Sequence, residues 1–263
     1  MSRWGIRIHA LALALALAGP ALAGDDARKI LEESERRHRT QSQEYAGDLT
    51  VVSKDGKTRH KAWRSYREGY AGDAKVLIRF VDPPEVRGVG FLSLGKKGKN
   101  PDQWLYLPSM KRERRIAPQD RDTSFVGTDF SYEDMEEFDH SKYDVVLKGE
   151  ETLDGQPCHV IAAEPNRESG KSVYERRVLY LRKDILYLVR EDLFRRGEGE
   201  PSKRFLLTHI ENVDGHWVAR NLEMVDLKKG SKTTVVLEKL AFDKPQPPDR
   251  FTIQNLNREG AEE

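Results

Sequence analysis

A regular succession of apolar stretches between residues 143 and 242 constrains the fold more than any other feature of this sequence. Short polar runs rich in Asp, Gly, Lys and Arg separate these stretches, and such runs form the tight turns that join neighbouring antiparallel strands. The segment therefore predicts a long meander of β-strands. The predicted turns are residues 153–155, 182–184, 196–199, 213–215 and 229–231.

Further strands are expected before this meander. Residues 49–54 and 58–68 flank an Asp55-Gly56 pair, which predicts a hairpin because these residues tolerate the backbone of a tight turn. Residues 75–81 alternate and predict a strand with one core face and one wet face, ended by the proline pair that follows. The expected core face carries Val76, Ile78 and Phe80, and the expected wet face carries Lys75 and Arg79.

Two more strands are predicted around a turn at residues 100–102, where an Asn-Pro-Asp sequence occurs. Residues 88–92 form the first, and residues 103–107 form the second. The second is apolar on both faces, so we expect it to be covered on both sides. Trp104 and Tyr106 point one way, and Leu105 and Leu107 point the other.

Length and composition indicate one mainly β domain. Cys158 is the single cysteine of the 263 residues, so the fold depends on a hydrophobic core and not on an intramolecular disulfide. About ten or eleven strands make a sheet so wide that accumulated twist must curl it strongly or close it. Charged residues make up 34% of the chain, but the formal net charge of +1 argues against a general attraction to nucleic acid. The predicted domain covers residues 24–263.

The first 23 residues have the pattern of a secretory signal peptide. Arg3 and Arg7 precede an apolar Ala/Leu run, and Ala21-Leu22-Ala23 is an A-x-A cleavage sequence. The run is shorter than the roughly 20 apolar residues of a transmembrane helix. The sequence therefore predicts cleavage before Gly24 and a soluble protein of the bacterial periplasm.

Helices are expected at two places. Residues 26–38 predict an amphipathic helix that begins at an N-cap of Asp25 or Asp26. Residues 131–134 have the S-x-x-[DE] form of a capping box and predict a helix of about two turns through Phe138, after a long loop without a clear period. The apolar residues of the first helix are Ala27, Ile30 and Leu31, and those at the second are Phe130, Tyr132, Met135 and Phe138.

A cationic run after Pro108 has three interpretations: solvated surface, partners for the acidic residues that follow, or contacts to an anionic head group or a protein partner. A charge run alone is most often solvated surface. The aromatic residues of the same region also leave two alternatives open, because a packed core and a ligand cavity need the same side chains. The cations are Lys111, Arg112, Arg114 and Arg115.

No enzymatic motif stands out. The sequence has no HExxH or HxxxH pattern, no P-loop, no G-x-S-x-G and no complete dinucleotide-binding glycine pattern. Asp129 and its acidic neighbours are expected to cap a helix and pair with arginines rather than to act in acid/base catalysis, and Cys158 is expected to be a buried apolar residue. We therefore expect no catalytic residue, no metal and no cofactor. The histidines considered are His38, His60, His140, His159, His209 and His216.

Three motifs within residues 81–134 resemble, in their order and spacing, the outer-membrane lipoprotein-sorting-protein-like family, periplasmic relatives of the lipoprotein carrier LolA. They read D-P-P-E-V-R-G-V-G-F-L, W-L-Y-L-P-S-M-K-R-E-R-R-I and F-V-G-T-D-F-S-Y-E-D. The resemblance implies an incomplete, strongly curved antiparallel β-barrel with helices across its concave side and a cavity for acyl chains between them. It also implies an inner-membrane permease of the RND or MMPL type as partner.

These expectations combine into a periplasmic carrier or chaperone that binds the acyl chains of a lipid or lipoprotein without catalysing a reaction. Each CH₂ group that leaves water gains about 0.8 kcal/mol, so a lipid tail in transit needs apolar cover. A lid held by modest contacts should then open and close, and the four cations would contact a head group or partner. The predicted wall is Ile78, Phe80, Phe91, Trp104 and Tyr106, and the predicted lid is Met110, Phe125, Phe130, Tyr132, Met135 and Phe138.

Three alternatives share these sequence features. A sensor would use the same cavity to report envelope lipids to a membrane regulator. A lipid-modifying enzyme would use Asp129 or His140. A structural envelope protein would fill the interior with its own side chains.

Overall fold

The computed structural model of the protein describes residues 20–169 and 171–258, so the predicted signal peptide lies largely outside the described residues. One antiparallel sheet of 13 strands dominates the fold, and it is curved but not closed, because its two edge strands do not pair with each other. The predicted mainly β, LolA-like fold class is confirmed. The helices are α1 (Pro20–His38) and α2 (Ile253–Leu256), and the strands are β1 (Ser42–Val52), β2 (Thr58–Glu68), β3 (Lys75–Asp82), β4 (Gly90–Lys96), β5 (Lys99–Leu107), β6 (Arg112–Arg115), β7 (Tyr143–Leu153), β8 (Gln156–Pro165), β9 (Tyr174–Arg182), β10 (Tyr187–Arg195), β11 (Lys203–Val213), β12 (His216–Asp226) and β13 (Ser231–Phe242).

Two meanders build the sheet. Strands β1 to β6 run in order to one edge, strands β7 to β13 return from the other edge, and β1 pairs with β13 where the meanders meet. In this central pair Gln43 lies opposite Phe242 and Val52 opposite Lys232. The strand number exceeds the predicted ten or eleven for two reasons. Part of the cationic run forms β6, and residues 156–182 contain two strands, β8 and β9.

A bulge at Gly47 marks the central pair. The register shifts between Ala46 and Gly47, and a Cβ atom at position 47 would lie 1.9 Å from the main-chain oxygen of Val236. No real side chain tolerates such a contact, so this close approach of two strands requires glycine.

The inner face of the sheet is the face covered by α1 and by residues 116–142. Helix α1 lies over β7 to β9, and the Arg28 side chain donates to the main-chain oxygen of Tyr143 at 3.0 Å. Because α1 begins at Pro20, Asp25 and Asp26 lie inside the helix, and the predicted N-cap is wrong. The buried cluster under α1 comprises Ala27, Leu31, Tyr143, Val145, Ile161, Ala163, Leu179 and Leu181.

The outer face of β3 to β5 is also covered, by the segment that includes α2. Leu77 is fully buried against Leu256, and Arg79 is 6% exposed and donates to the main-chain oxygens of Asn255 and Leu256. The predicted wet face of β3 is therefore wrong at Arg79, because the C-terminal residues return to cover it.

The turn predicted at residues 100–102 is also misplaced. These residues belong to β5, and the chain reverses at Lys97 and Gly98, where Gly98 has φ of 69°. Glycine tolerates this left-handed backbone without a steric penalty. Within the described residues no helix is long and apolar enough to span a membrane.

Candidate functional site

Residues 116–142, called the cover from here on, cross the inner face between β6 and β7. The predicted two-turn helix is wrong: its place is taken by a 3-10 turn at Glu133–Met135, and the backbone is extended at Glu136. The capping box itself forms, since the main-chain nitrogen of Ser131 donates to the Asp134 carboxylate at 2.7 Å. The Asp134 side chain bonds to Tyr174 and Lys203 on the sheet, and Glu133 bonds to Ser172 just before β9.

Aromatic side chains of the cover insert into the inner face. The Phe125 ring lies 6.0 Å from Phe80, 5.1 Å from Phe91 and 5.8 Å from Tyr132, measured between ring centroids. All four rings are almost fully buried. Phe130 contacts Phe205 at 5.8 Å. Offset and edge-to-face ring pairs of this kind add about 0.5–1.5 kcal/mol beyond the burial of their area, so the cluster is a well-packed one.

The space between the cover and the sheet is filled by protein. Two recesses beside Glu136 and Glu137 enclose about 40 Å³ and 20 Å³. Sites for small molecules usually have about 300–1,000 Å³. A more open recess of about 410 Å³ lies elsewhere, among Glu164, Glu175, Arg176 and Arg196 among others, where the side chains are mostly polar. An acyl chain therefore enters the interior only if side chains of the cover leave it.

The predicted wall and lid residues are only partly brought together. Ile78, Phe80 and Phe91 lie on the inner face, but Trp104 and Tyr106 pack on the outer face against Leu77 and Leu92. Their inner-face places are taken by Leu105 and Leu107, because Leu105 is the cross-strand partner of Phe91. Of the predicted lid residues, Phe125, Phe130, Tyr132 and Met135 join the inner-face cluster, whereas Phe138 packs on Tyr143 under α1 and Met110 is 50% exposed.

The predicted head-group cations divide into two kinds. Arg114 lies 3.7 Å from an oxygen of Asp120, and Arg115 pairs with Asp102. Lys111 and Arg112 are exposed beside Met110, at the turn between β5 and β6. The anchoring of the cover by the cationic run is therefore limited to Arg114, and stronger anchors come from cations that the sequence did not single out.

A buried ionic network holds the second half of the cover. The Asp134 carboxylate accepts hydrogen bonds from the Lys203 ammonium at 2.8 Å and from the Tyr174 hydroxyl at 2.7 Å. Burial is the largest single influence and would raise the pKa of Asp134, but the charge and hydrogen bond of Lys203, with the bonds from Ser131 and Tyr174, together lower the pKa. Glu133 accepts from the Ser172 hydroxyl at 2.5 Å. Since both carboxylates are 2% exposed, these bonds are shielded from water.

Neighbouring polar groups extend this anchoring. Arg177 donates to Glu191 at 2.9 Å on the inner face and lies 3.9 Å from Glu133. Burial raises the pKa of Glu191, and Arg177 opposes the rise. Asp129 accepts from the Thr233 hydroxyl at 2.7 Å. The prediction that modest contacts hold the whole lid is therefore wrong for residues 129–136.

Residues 125–128 are held differently. Val126 and Gly127 form a turn with φ of 48° and 70°, and the Lys61 side chain donates to the main-chain oxygen of Val126. A left-handed backbone costs a residue other than glycine about 1–2 kcal/mol, so Val126 is strained. Lys61 lies on the inner face of β2 and is 8% exposed. This turn, which carries Phe125, is the part of the cover with the weaker polar attachment.

The residues considered for catalysis are occupied in structural contacts. Both Asp129 oxygens accept hydroxyl donors, from Ser231 and Thr233. His140 lies between Arg28 and Glu35, with its Nε2 atom 3.1 Å from the glutamate. Cys158 is fully buried, and burial raises the pKa of its thiol. Within residues 20–169 and 171–258, no group of three or more His, Cys, Asp or Glu side chains is placed to hold a metal.

The curved, unclosed antiparallel sheet with few helices is a LolA-like fold. A DUF1329 family protein from Desulfovibrio piger has a TM-score of 0.84 and 24% identity, over 89% of this chain and 99% of that chain. A proposed outer membrane lipoprotein-sorting protein domain from Vibrio parahaemolyticus has a TM-score of 0.82 and 25% identity, over 89% and 100%. A LolA superfamily protein from Nitrosomonas europaea has a TM-score of 0.67 and 17% identity, over 86% and 97%.

Residues 72–258 match the model of a family described as "-like: Uncharacterized protein", and the chain belongs to that family. With the structural relatives, this match confirms the predicted likeness to outer-membrane lipoprotein-sorting-protein-like proteins. No curated protein matches the chain.

Proposed function

We propose that the protein is a periplasmic carrier that binds the acyl chains of a lipid or lipoprotein between the inner face and the cover. The observation that best supports this proposal is that an irregular segment supplies the aromatic side chain that fills the inner face. Phe125, which packs against Phe80 and Phe91, comes from an irregular segment and not from a strand or long helix of the fold. An irregular segment can be displaced without breaking the sheet, so hydrocarbon can take the place of its aromatic side chains.

The displaced part is residues 124–128. Their attachment to the sheet is the bond from Lys61 to Val126 together with the packing of Phe125, and the strain at Val126 lowers the cost of leaving this conformation. Residues 129–136 stay in place, because Asp134 and Glu133 are anchored in the buried network. Cargo then enters at the end of the cover nearest β2 and β3.

A direct test is mass spectrometry of organic extracts from the purified protein, with binding of a fluorescent hydrocarbon probe measured in parallel. Phe125→Ala removes the ring that an acyl chain must displace, so we expect probe binding to rise several-fold. Leu92→Ala is the matched control, since Leu92 is fully buried on the outer face. Both substitutions destabilise the fold by about 2–5 kcal/mol. Absence of lipid from the extracts, together with no probe binding by wild type or Phe125→Ala, would contradict the proposal and favour a structural role.

We also propose that the carrier catalyses no reaction on its cargo and exchanges it with an inner-membrane permease of the RND or MMPL type. The exposed residues Met110, Lys111 and Arg112 form a projecting turn that suits contact with a head group or a partner. Photo-crosslinking from position 110 in intact cells should capture such a permease. Capture of a regulatory membrane protein instead would support the sensor.

A further inference from the structure

Two buried donors on the inner face of β2 have spare hydrogen-bonding capacity. The Lys61 ammonium has three protons and donates one hydrogen bond to the main-chain oxygen of Val126. Trp63, two residues along the strand and on the same face, has a buried Nε1 atom without a hydrogen-bond partner. Nearly all buried polar groups in proteins are hydrogen-bonded. Donors left over in an apolar interior therefore point to an acceptor that comes from outside the chain.

Lys61 also lacks a counterion. Within the described part of the chain, no Asp or Glu oxygen lies within 4.0 Å of its Nζ atom, and the one charged group that acts on it is the cation Arg59. Burial, with a smaller effect of Arg59, lowers the pKa of Lys61. Buried charges are normally paired, and the other buried cations of the inner face, Arg67, Arg177 and Lys203, do have carboxylate partners. Lys61 is thus the exception among them.

The main-chain oxygen of Val126, which accepts the hydrogen bond from Lys61, belongs to the part of the cover that moves in the proposed function. When residues 124–128 withdraw, the ammonium loses the Val126 oxygen at the place where an acyl chain enters. The neighbouring Phe80 ring, 5.9 Å from Nζ, remains on the sheet and can line the chain. A negatively charged head group would restore the lost hydrogen bond and add the missing counterion.

We propose that Lys61, together with the Nε1 donor of Trp63, binds the anionic group of an amphiphilic cargo beneath the cover. The anionic group is a carboxylate or a phosphate. This inference rests on the proposed carrier function and specifies its cargo as an acyl chain with a negative head group. Charge-assisted hydrogen bonds are roughly twice as strong as neutral ones, so Lys61 selects anionic over neutral amphiphiles of equal chain length.

The test compares dodecanoate, dodecyl phosphate and dodecanol as competitors of a fluorescent hydrocarbon probe at neutral pH. Wild type should bind at least one of the two anions about tenfold more tightly than the alcohol. The anion that binds more tightly shows whether the site takes a carboxylate or a phosphate. Lys61→Met should abolish this preference, and because it also removes the bond that holds Val126, it should tighten dodecanol binding and not weaken it. Lys61→Arg, which keeps the charge, should retain most of it. Lys57→Met is the control, because Lys57 lies in the exposed turn before β2.

The outcomes separate this inference from the carrier function. If wild type binds all three amphiphiles equally and Lys61→Met changes nothing, the carrier function stands and the Lys61 site is refuted. If Lys61→Met weakens all three ligands equally, its role is structural and the site is again refuted. If wild type binds none of them, the carrier function and the site fail together. An unchanged anion preference in both Lys61 variants would also refute the site, whatever their stability.

Discussion

Replacing Lys203 with methionine tests whether the buried network anchors the cover. The Asp134 carboxylate and the Lys203 side chain are 2% and 4% exposed and 2.8 Å apart. Removing one partner of a buried ion pair leaves an uncompensated charge and costs about 3–5 kcal/mol. We expect Lys203→Met to lower the free energy of unfolding in urea by that amount. Lys232→Met, at the exposed pair with Glu223, should change it by less than about 1 kcal/mol.

A double-mutant cycle and its pH dependence complete this test. Lys203→Met combined with Asp134→Asn should cost less than the sum of the single changes, since neither charge is then left alone. In wild type the Asp134 pKa is below 3.8, so its stabilising effect is present at neutral pH and is lost as pH falls through the folded-state value. Without Lys203, burial raises this pKa. The stability gap between wild type and Lys203→Met should therefore shrink towards pH 3. An additive cycle, or a gap independent of pH, would refute the anchoring.

Two further substitutions test the packing. Gly47→Ala should destabilise the protein by more than about 2 kcal/mol, because the main chain of Val236 is so close that an added methyl group must shift the strand. Gly199→Ala is the control, since a Cβ atom there meets nothing within 4 Å. Equal unfolding midpoints for the two variants would contradict the bulge geometry. Leu77→Ala should cost about 2–5 kcal/mol if the outer face of β3 is covered. A loss below about 0.5 kcal/mol, as for the exposed Lys75→Ala, would mean that this face is wet.

The sheet could be predicted because its determinants are local. Asp154 and Gly155 have φ of 48° and 76°, and Asp214 and Gly215 have φ of 52° and 90°. Such paired left-handed residues define the tightest hairpin turns, and Asp-Gly is their common sequence. The alternation around these turns then sets the strands. The connection between β8 and β9 was missed because residues 166–173 contain no Asp-Gly pair.

The faces of the strands could not be predicted equally well, because alternation gives two faces without saying which is inner. Trp104 and Leu105 are distinguished only by the register with Phe91 on β4, and that register depends on the turn at Gly98. A slip of one residue exchanges the faces of a whole strand. Leu77 was predicted correctly as a strand residue, but its cover, Leu256, comes from the far end of the chain.

The network under the cover was outside the reach of sequence reasoning for a similar reason. Lys203, Arg177 and Lys61 carry no local mark that separates them from surface cations, since burial and pairing depend on residues far apart in the chain. Lys203 and Asp134 are 69 positions apart. The sequence did contain one indication, because residues 129–136 combine acidic side chains with aromatic ones. The prediction that these acidic residues pair with basic residues was correct, but it did not identify which basic residues are their partners.

The filled interior sets the energetics of loading. Withdrawing Phe125 exposes apolar area at about 1.5–3 kcal/mol for this side chain, and breaking the charged hydrogen bond from Lys61 adds about 1.5–3 kcal/mol. The total is about 3–6 kcal/mol by these ranges. A dodecyl chain that comes from water gains about 9 kcal/mol at about 0.8 kcal/mol per CH₂, which exceeds this cost. A chain in a bilayer is already out of water and brings no such gain. A carrier built in this way therefore loads dispersed amphiphiles unaided but needs a partner to open the cover, or to deliver the cargo, when the source is a membrane.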